Sequence, residues 1–407
     1  MLSKMVFLLA ILTMATTAAL AQEPETREGL LRREREAKAK QLKPPEPGRL
    51  ERALLKLEND RAFERILNPA EGIYPKIGTV TPGSGFSFGP AYRRSGLFKE
   101  RAEFSAFVVG SIKKYWMIDA KLAMPQLAGG AAFIELHGQR SAFPQEDFFG
   151  LGPAARRQDH ATFSFQNSTM GVAGGVRAAP WLSFGGRVDR LTPRIGRGEG
   201  PGSPSIEERF DVNQIPGLSA QPDFFRYEMF ADANYGQPRG NPRKGGHYSV
   251  GYQRYDDRDL HRDSFRRVEL DFQQYISFLK ERRVLALRAL ASASDADERQ
   301  EVPFYFQRSL GGPDDLRGFR RYRFRDRNVL LLQAEYRWEI FTAMDGAIFY
   351  DAGKVAPRRG DIDLRNLESD YGVGFRFGSD NGVFLRVEGA FGSPDGKHFV
   401  FRFGNVF

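Results

Sequence analysis

The 407-residue chain contains no cysteine. That excludes a disulfide framework, so an exported protein of this length must be held by a packed core or a closed sheet. Long apolar runs are missing as well. Past the first twenty or so residues, nothing approaches the ~20 apolar residues that a membrane-spanning helix requires. Histidine is scarce, with His137, His160, His247, His261 and His398 scattered and none at metal-ligand spacing. No G-x-S-x-G elbow, phosphate-binding loop or dinucleotide fingerprint occurs. His247 and Ser249 would share one face of a strand, too little for a nucleophile and its base. Taken together these absences assign no catalytic residue, no metal and no cofactor, and the chain is expected not to be an enzyme.

What is present begins with a secretory signal. Lys4 supplies the positive start, residues 5–13 are largely apolar, and Ala19-Leu20-Ala21 is an A-x-A cleavage site, so residues 1–21 read as a signal peptide. An exported chain with no membrane helix is either soluble or a β-barrel, because only helices and closed barrels satisfy the backbone in lipid. Aromatics at 13%, with 35 Phe and 43 Gly, suit strands with bulky lipid-facing and small inward-facing residues. The formal charge of +9 is spread along the chain and forms no nucleic-acid module.

Residues 22–72 are charged, with Pro44-Pro45-Glu46-Pro47 breaking a mixed-charge stretch. Leu50, Leu54, Leu57, Phe63, Ile66 and Leu67 then recur at helical spacing, which predicts a short amphipathic helix ending at Asn68-Pro69. This periplasmic arm is a spacer or a helix capping the barrel mouth. From residue 73 onward the period becomes two. In residues 329–340, Leu330, Leu332, Ala334, Tyr336, Trp338 and Ile340 take one face and Gln333, Glu335, Arg337 and Glu339 the other. Residues 225–235 and 267–273 alternate in the same way. That density of charge opposite bulky apolar groups is the pattern of a transmembrane barrel wall.

Loop parity sets the strand number. Long connections are expected at 141–160, 193–221 and 295–328, with two strands between the first pair and four between the second. Both counts are even, so the three loops share the extracellular side. Five strands follow the last of them. Four clear strands precede residue 141, and a periplasmic start requires a fifth, for which 73–81, interrupted by Pro75, is the candidate. The fold class is therefore all-β, a 16-stranded antiparallel transmembrane β-barrel over residues 73–407 behind a short helical arm.

Three motifs carry a resemblance. Gly311-Gly312-Pro313-Asp314-Asp315-Leu316-Arg317-Gly318-Phe319 lies in the last long loop. Phe349-Tyr350-Asp351-Ala352-Gly353 lies on the second strand after it. The chain ends His398-Phe399-Val400-Phe401-Arg402-Phe403-Gly404-Asn405-Val406-Phe407. These resemble, respectively, the L/V-R-G-F/Y loop signature, the F-x-D-x-G strand motif and the terminal β-signal of the Omp85 superfamily, the outer-membrane barrels of the BamA, TamA and surface antigen D15 type. Asn405 departs from the usual β-signal, where an apolar residue is commoner. Phe148-Phe149-Gly150-Leu151-Gly152-Pro153 is similar to an aromatic-Gly-x-Gly stretch of patatin-type and related surface-antigen barrels.

The resemblance implies a bacterial outer-membrane location, surrounding lipids, and handling by the barrel-assembly machinery through Phe399, Phe401, Phe403 and Phe407. It also implies a loop folded into the lumen, with Arg317, Gly318 and Phe319 latched onto Asp351 and Glu335. About 50 residues of arm cannot hold a POTRA domain, the periplasmic module usual in the family, so a POTRA-less member is expected. The implied function is insertion or translocation of protein or lipid cargo; the alternative is a passive channel or structural barrel. Oligomeric state and partner proteins are not legible.

Overall fold

A computed structural model describes residues 71–407 except 201, 237–241, 342–343, 380–381 and 403–407. The expected signal peptide, nearly all of the arm, and Phe403 and Phe407 lie outside the described residues.

Strand alternation dominates the fold. The first group of strands is β1 (Gly72–Gly78), β2 (Ser87–Gly96), β3 (Ala102–Ser111), β4 (Trp116–Leu127) and β5 (Ala132–Phe148). Next come β6 (Ala161–Ala179), β7 (Leu182–Arg197), β8 (Phe224–Gly236), β9 (Gly245–Asp257), β10 (Phe265–Phe278) and β11 (Arg283–Ala296). After the last long loop follow β14 (Asn328–Phe341), β15 (Met344–Ala356), β16 (Glu368–Ser379), β17 (Gly382–Ser393) and β18 (Gly396–Arg402). These sixteen form one sheet in sequence order, each antiparallel to the next, with β1 and β18 at its edges. Inside the last long loop, β12 (Arg308–Leu310) and β13 (Phe324–Asp326) pair as a separate small sheet. The architecture is an up-and-down barrel.

Several strands outrun their expected bounds. β5 continues to Phe148, so the first long loop spans only 149–160, and β7 continues to Arg197. Both extensions pass a proline: Pro144 sits in the irregularity between Phe143 and Glu146 that absorbs it, and Pro193 stays in register with Asn167. β1 stops at Gly78, short of the expected 81.

The two faces separate by chemistry. On β15, Ile348 and Tyr350 are about half exposed and face outward, whereas Phe349 and Asp351 are buried inward. Two apolar clusters lie on the inner side. The larger gathers Phe148, Phe163, Phe224, Tyr255, Phe265 and Phe304 from strand ends and long loops. The smaller joins Leu310, Leu316, Phe319 and Phe324 of the last long loop to Val329 and Leu331 of β14 and Val355 of β15. It is this second cluster that carries the loop into the lumen.

Candidate functional site: a buried arginine inside the barrel

The loop holding Arg317 is shaped before it is bonded. Gly311 and Gly312 have φ of 113° and 106°, a region that L side chains avoid. The Gly312 amide donates to the Leu316 carbonyl at 3.1 Å, and the Phe319 amide donates to the same carbonyl at 3.1 Å. The compact turn aims Leu316 and Phe319 into the apolar patch of β14 and β15, with Arg317 between them. Gly318 is required by proximity, because a Cβ there would lie 2.6 Å from the Asp370 Cβ.

Arg317 is fully buried, and every polar edge of its guanidinium is used. Nε and Nη2 donate to the two Asp351 oxygens at 2.7 and 2.8 Å, a bidentate fork. Nη1 donates to Glu335 at 3.0 Å and to Glu388 at 3.1 Å. The plane lies over the Phe349 ring, with Cζ 3.4 Å from its centroid. Its carboxylate partners keep the guanidinium charged despite the cost of burial.

Register explains why these groups meet. Arg337, Ala347, Gly374 and Glu388 form one row across β14, β15, β16 and β17, and Glu335, Phe349, Gly372 and Ala390 form the next. The small residues open a trough through which the long side chains cross. A Cβ on Gly372 would meet the Phe349 ring at 2.2 Å. Arg376 donates to Glu388 at 2.8 Å and also to Glu335, and Arg386 donates to Glu388 at 3.3 Å. Gln333 closes the top, donating to Asp351 at 3.1 Å and to the Asp315 carbonyl at 2.8 Å.

Glu335 and Asp351, picked out by alternation and motif, are thus joined by Glu388, Arg376 and Arg386, which sequence reasoning missed. The signal available for them was inward phase on β16 and β17 beside Gly372 and Gly374. Phe399 and Phe401, expected to form part of a β-signal, are exposed on β18. Three of the five histidines face carboxylates elsewhere: His137 lies 3.0 Å from Asp189, His160 2.9 Å from Asp147, and His247 2.6 Å from Asp232. Ser249 lies on β9 two positions from His247.

Beyond Arg317 the same loop reaches both edges of the sheet. Toward β17 and β18, the Arg320 amide and Arg323 Nε donate to the two Asp395 oxygens at 3.1 and 3.3 Å. Ser393 Oγ donates to the Gly318 carbonyl, and Arg402 of β18 pairs with Asp314. Toward β1 and β2, Arg321 donates to the Pro82 carbonyl, and Tyr322 and Thr81 share a hydrogen bond at 3.3 Å. Arg321 also donates to Asp147 at 3.2 Å, tying the loop to β5.

Sixteen antiparallel strands around a charged interior, with a loop bonded inside, define a transmembrane barrel of the outer-membrane class. Residues 239–407 match the Omp85 superfamily domain. Among solved structures, the chain is similar to BamA from Haemophilus ducreyi lacking POTRA domains 1–3, with TM-score 0.60, 16% identity, and coverage of 82% of this chain and 69% of that one. It is also similar to CdiB from Escherichia coli, with TM-score 0.54, 12% identity, and coverage of 81% of this chain and 61% of that one. Comparison with curated proteins gives no match. Residues 239–407 thus match the Omp85 superfamily domain, and the chain shares its barrel fold with the bacterial outer-membrane proteins BamA and CdiB.

Proposed function

We propose that this barrel inserts or translocates protein or lipid cargo at the outer membrane, and that the Arg317 loop is a latch governing the seam between β1 and β18. The observation that supports this reading is that one loop holds the turns on both sides of that seam while its centre is fixed to β14, β15 and β17. A loop that only filled the lumen would have no need of both edges.

The edges themselves favour opening. β1 has seven residues, and Pro75 faces Pro90 of β2 in register. Pro75 removes one donor from β1, either from its bonds to β2 or from its outer side. The Phe399 and Phe401 faces would be offered to the barrel-assembly machinery during biogenesis. The reading gives the chain no catalytic chemistry.

Cysteines replacing Lys76 and Phe401, joined by a short bifunctional reagent, test the gate. Insertion of a client barrel into proteoliposomes should stop when the seam is joined and return on cleavage of the reagent. Undiminished insertion with the seam locked removes the gate. Planar-bilayer recordings separate the passive channel: a steady open conductance, indifferent to the cross-link, would be that protein.

A further inference from the structure

Buried guanidinium groups in this barrel have carboxylate partners. Arg317, Arg337, Arg376 and Arg386 each lie against Glu335 or Glu388. Arg267 and Arg325 break the pattern. Both are at most 7% exposed, yet among the described residues neither has a carboxylate in ion-pair range. Arg325 donates from Nη1 to the Phe304 carbonyl at 3.0 Å, and its Nε is buried with no partner. Arg267 donates from Nε to Ser294 Oγ at 2.9 Å and from Nη2 to the Phe306 carbonyl. Carbonyl and hydroxyl oxygens do not neutralise a buried cation, and an uncompensated one is strongly unfavourable.

The two arginines line one cavity of about 420 Å³ between β10 and the last long loop, a size within the ~300–1,000 Å³ range of small-molecule sites. Three further side chains of that lining carry buried polar atoms without a hydrogen-bond partner: the Tyr305 hydroxyl, Gln307 Oε1 and Glu146 Oε1. Phe143, Phe165 and Phe306 supply apolar walls. Two carboxyls share the lining. Glu146 lies 3.8 Å from Arg321 and is drawn on by Arg325 as well, from beyond ion-pair range; Asp315, pushed up to about 6 by burial, is drawn down by Arg308 and Arg288. By direct contact, Arg267 and Arg325 keep no carboxylate of their own among the described residues.

We infer that this cavity is a binding site for a small organic oxyanion, whose oxygens meet Arg267, Arg325 and Tyr305 while its apolar body rests on the phenylalanine walls. Planar guanidinium forks suit carboxylate and phosphate oxygens, and the hydroxyl adds a donor at the rim. Burial also lowers the pKa of Arg325, the direction a bound anion would oppose. Because Arg267 stands on β10 and Arg325 on β13, the anion bridges the barrel wall to the loop.

The probe is benzoate, compared with inorganic phosphate and chloride at equal ionic strength, on the full chain in nanodiscs. The reading is the thermal midpoint for loss of the folded gel form. Benzoate should raise the midpoint with saturation, phosphate less so, and chloride not at all. Arg325→Met removes the unmatched charge, so it should melt no lower than the parent without benzoate and lose the benzoate shift. Tyr305→Phe deletes one hydroxyl and should weaken half-saturation about tenfold, which keeps the test open if the arginine variant fails to assemble. A benzoate shift no larger than that of chloride, or one that survives intact in both variants, overturns the site.

Discussion

Arg317 and Glu388 are 71 positions apart in the chain and 3.1 Å apart inside the barrel. Because the same guanidinium also holds Glu335 of β14 and Asp351 of β15, the contact converts a loop into a brace spanning β14 to β17. Removing the arginine takes from Asp351 its cationic partner and from Glu335 and Glu388 one partner each, while Arg337, Arg376 and Arg386 stay on the two glutamates; breaking a buried pair costs about 3–5 kcal/mol. Arg317→Ala should therefore lower the temperature at which the folded, fast-migrating gel form is lost. Arg317→Lys keeps the charge but cannot form the fork to Asp351, so it should fall between the two. A lysine variant indistinguishable from the parent would show that the fork contributes nothing.

The parts of this site differ in how readable they were, for physical reasons. Glu335 and Asp351 sit on strands with strict alternation, beside a loop whose glycines mark it, and strand number follows from parity of long loops. Glu388 carries no motif. Its reach to Arg317 depends on Gly372, Gly374, Ala347 and Ala390 falling into adjacent rows, and register is a property of strand pairs rather than of a strand. Val329 and Leu331 hid for another reason. They point inward among Leu330 and Leu332, which point outward, so the run is apolar on both faces and the period fades. Only the presence of Leu316 and Phe319 against them explains apolar residues on a charged inner wall.

That apolar anchorage predicts a second result. Phe319 is buried against Leu316 and Phe324, with the two rings 5.3 Å apart in an edge-on arrangement. Phe319→Ala should cost about 3–5 kcal/mol, and Phe319→Leu less than about 1.5 kcal/mol, since the leucine refills most of the volume. External protease should cut the loop in the alanine variant and spare it in the leucine variant. Equal protection of both would mean that Arg317 alone holds the loop.

Asp263, in the connection between β9 and β10, predicts a pH dependence. It is buried, its Oδ2 lies 3.7 Å from Arg262 Nε without a hydrogen bond, and burial pushes its carboxyl up to about 6 against the pull of that arginine. A folded pKa above the unfolded ~3.9 means the native state holds the proton longer, so stability is greatest below about pH 4 and declines as pH rises through 6. A shift near two units corresponds to roughly 2–3 kcal/mol. Asp263→Asn fixes the neutral form, so its melting temperature should exceed the parent's at pH 7.5 and converge with it at pH 4. A parent and variant separated by the same interval at both pH values would exclude this carboxyl as the source.

The two arms of the loop should also be separable. Asp395 accepts from the Arg320 amide and from Arg323, whereas Arg321 reaches Pro82, Asp147 and the carbonyl of Gln145. Asp395→Asn weakens the hold on the β17–β18 turn, and Arg321→Ala releases the β1–β2 turn. If both arms brace one seam, releasing the first already frees much of what the second restrains, so their effects are coupled. Single-molecule or bulk hydrogen exchange of β1 and β18 amides should then rise in each single variant, with the double variant less than the product of the two. Independent turns would instead multiply. Arg321 carries the larger share, because it also ties the loop to β5, and Arg321→Ala should increase exchange in β1 more than Asp395→Asn increases it in β18.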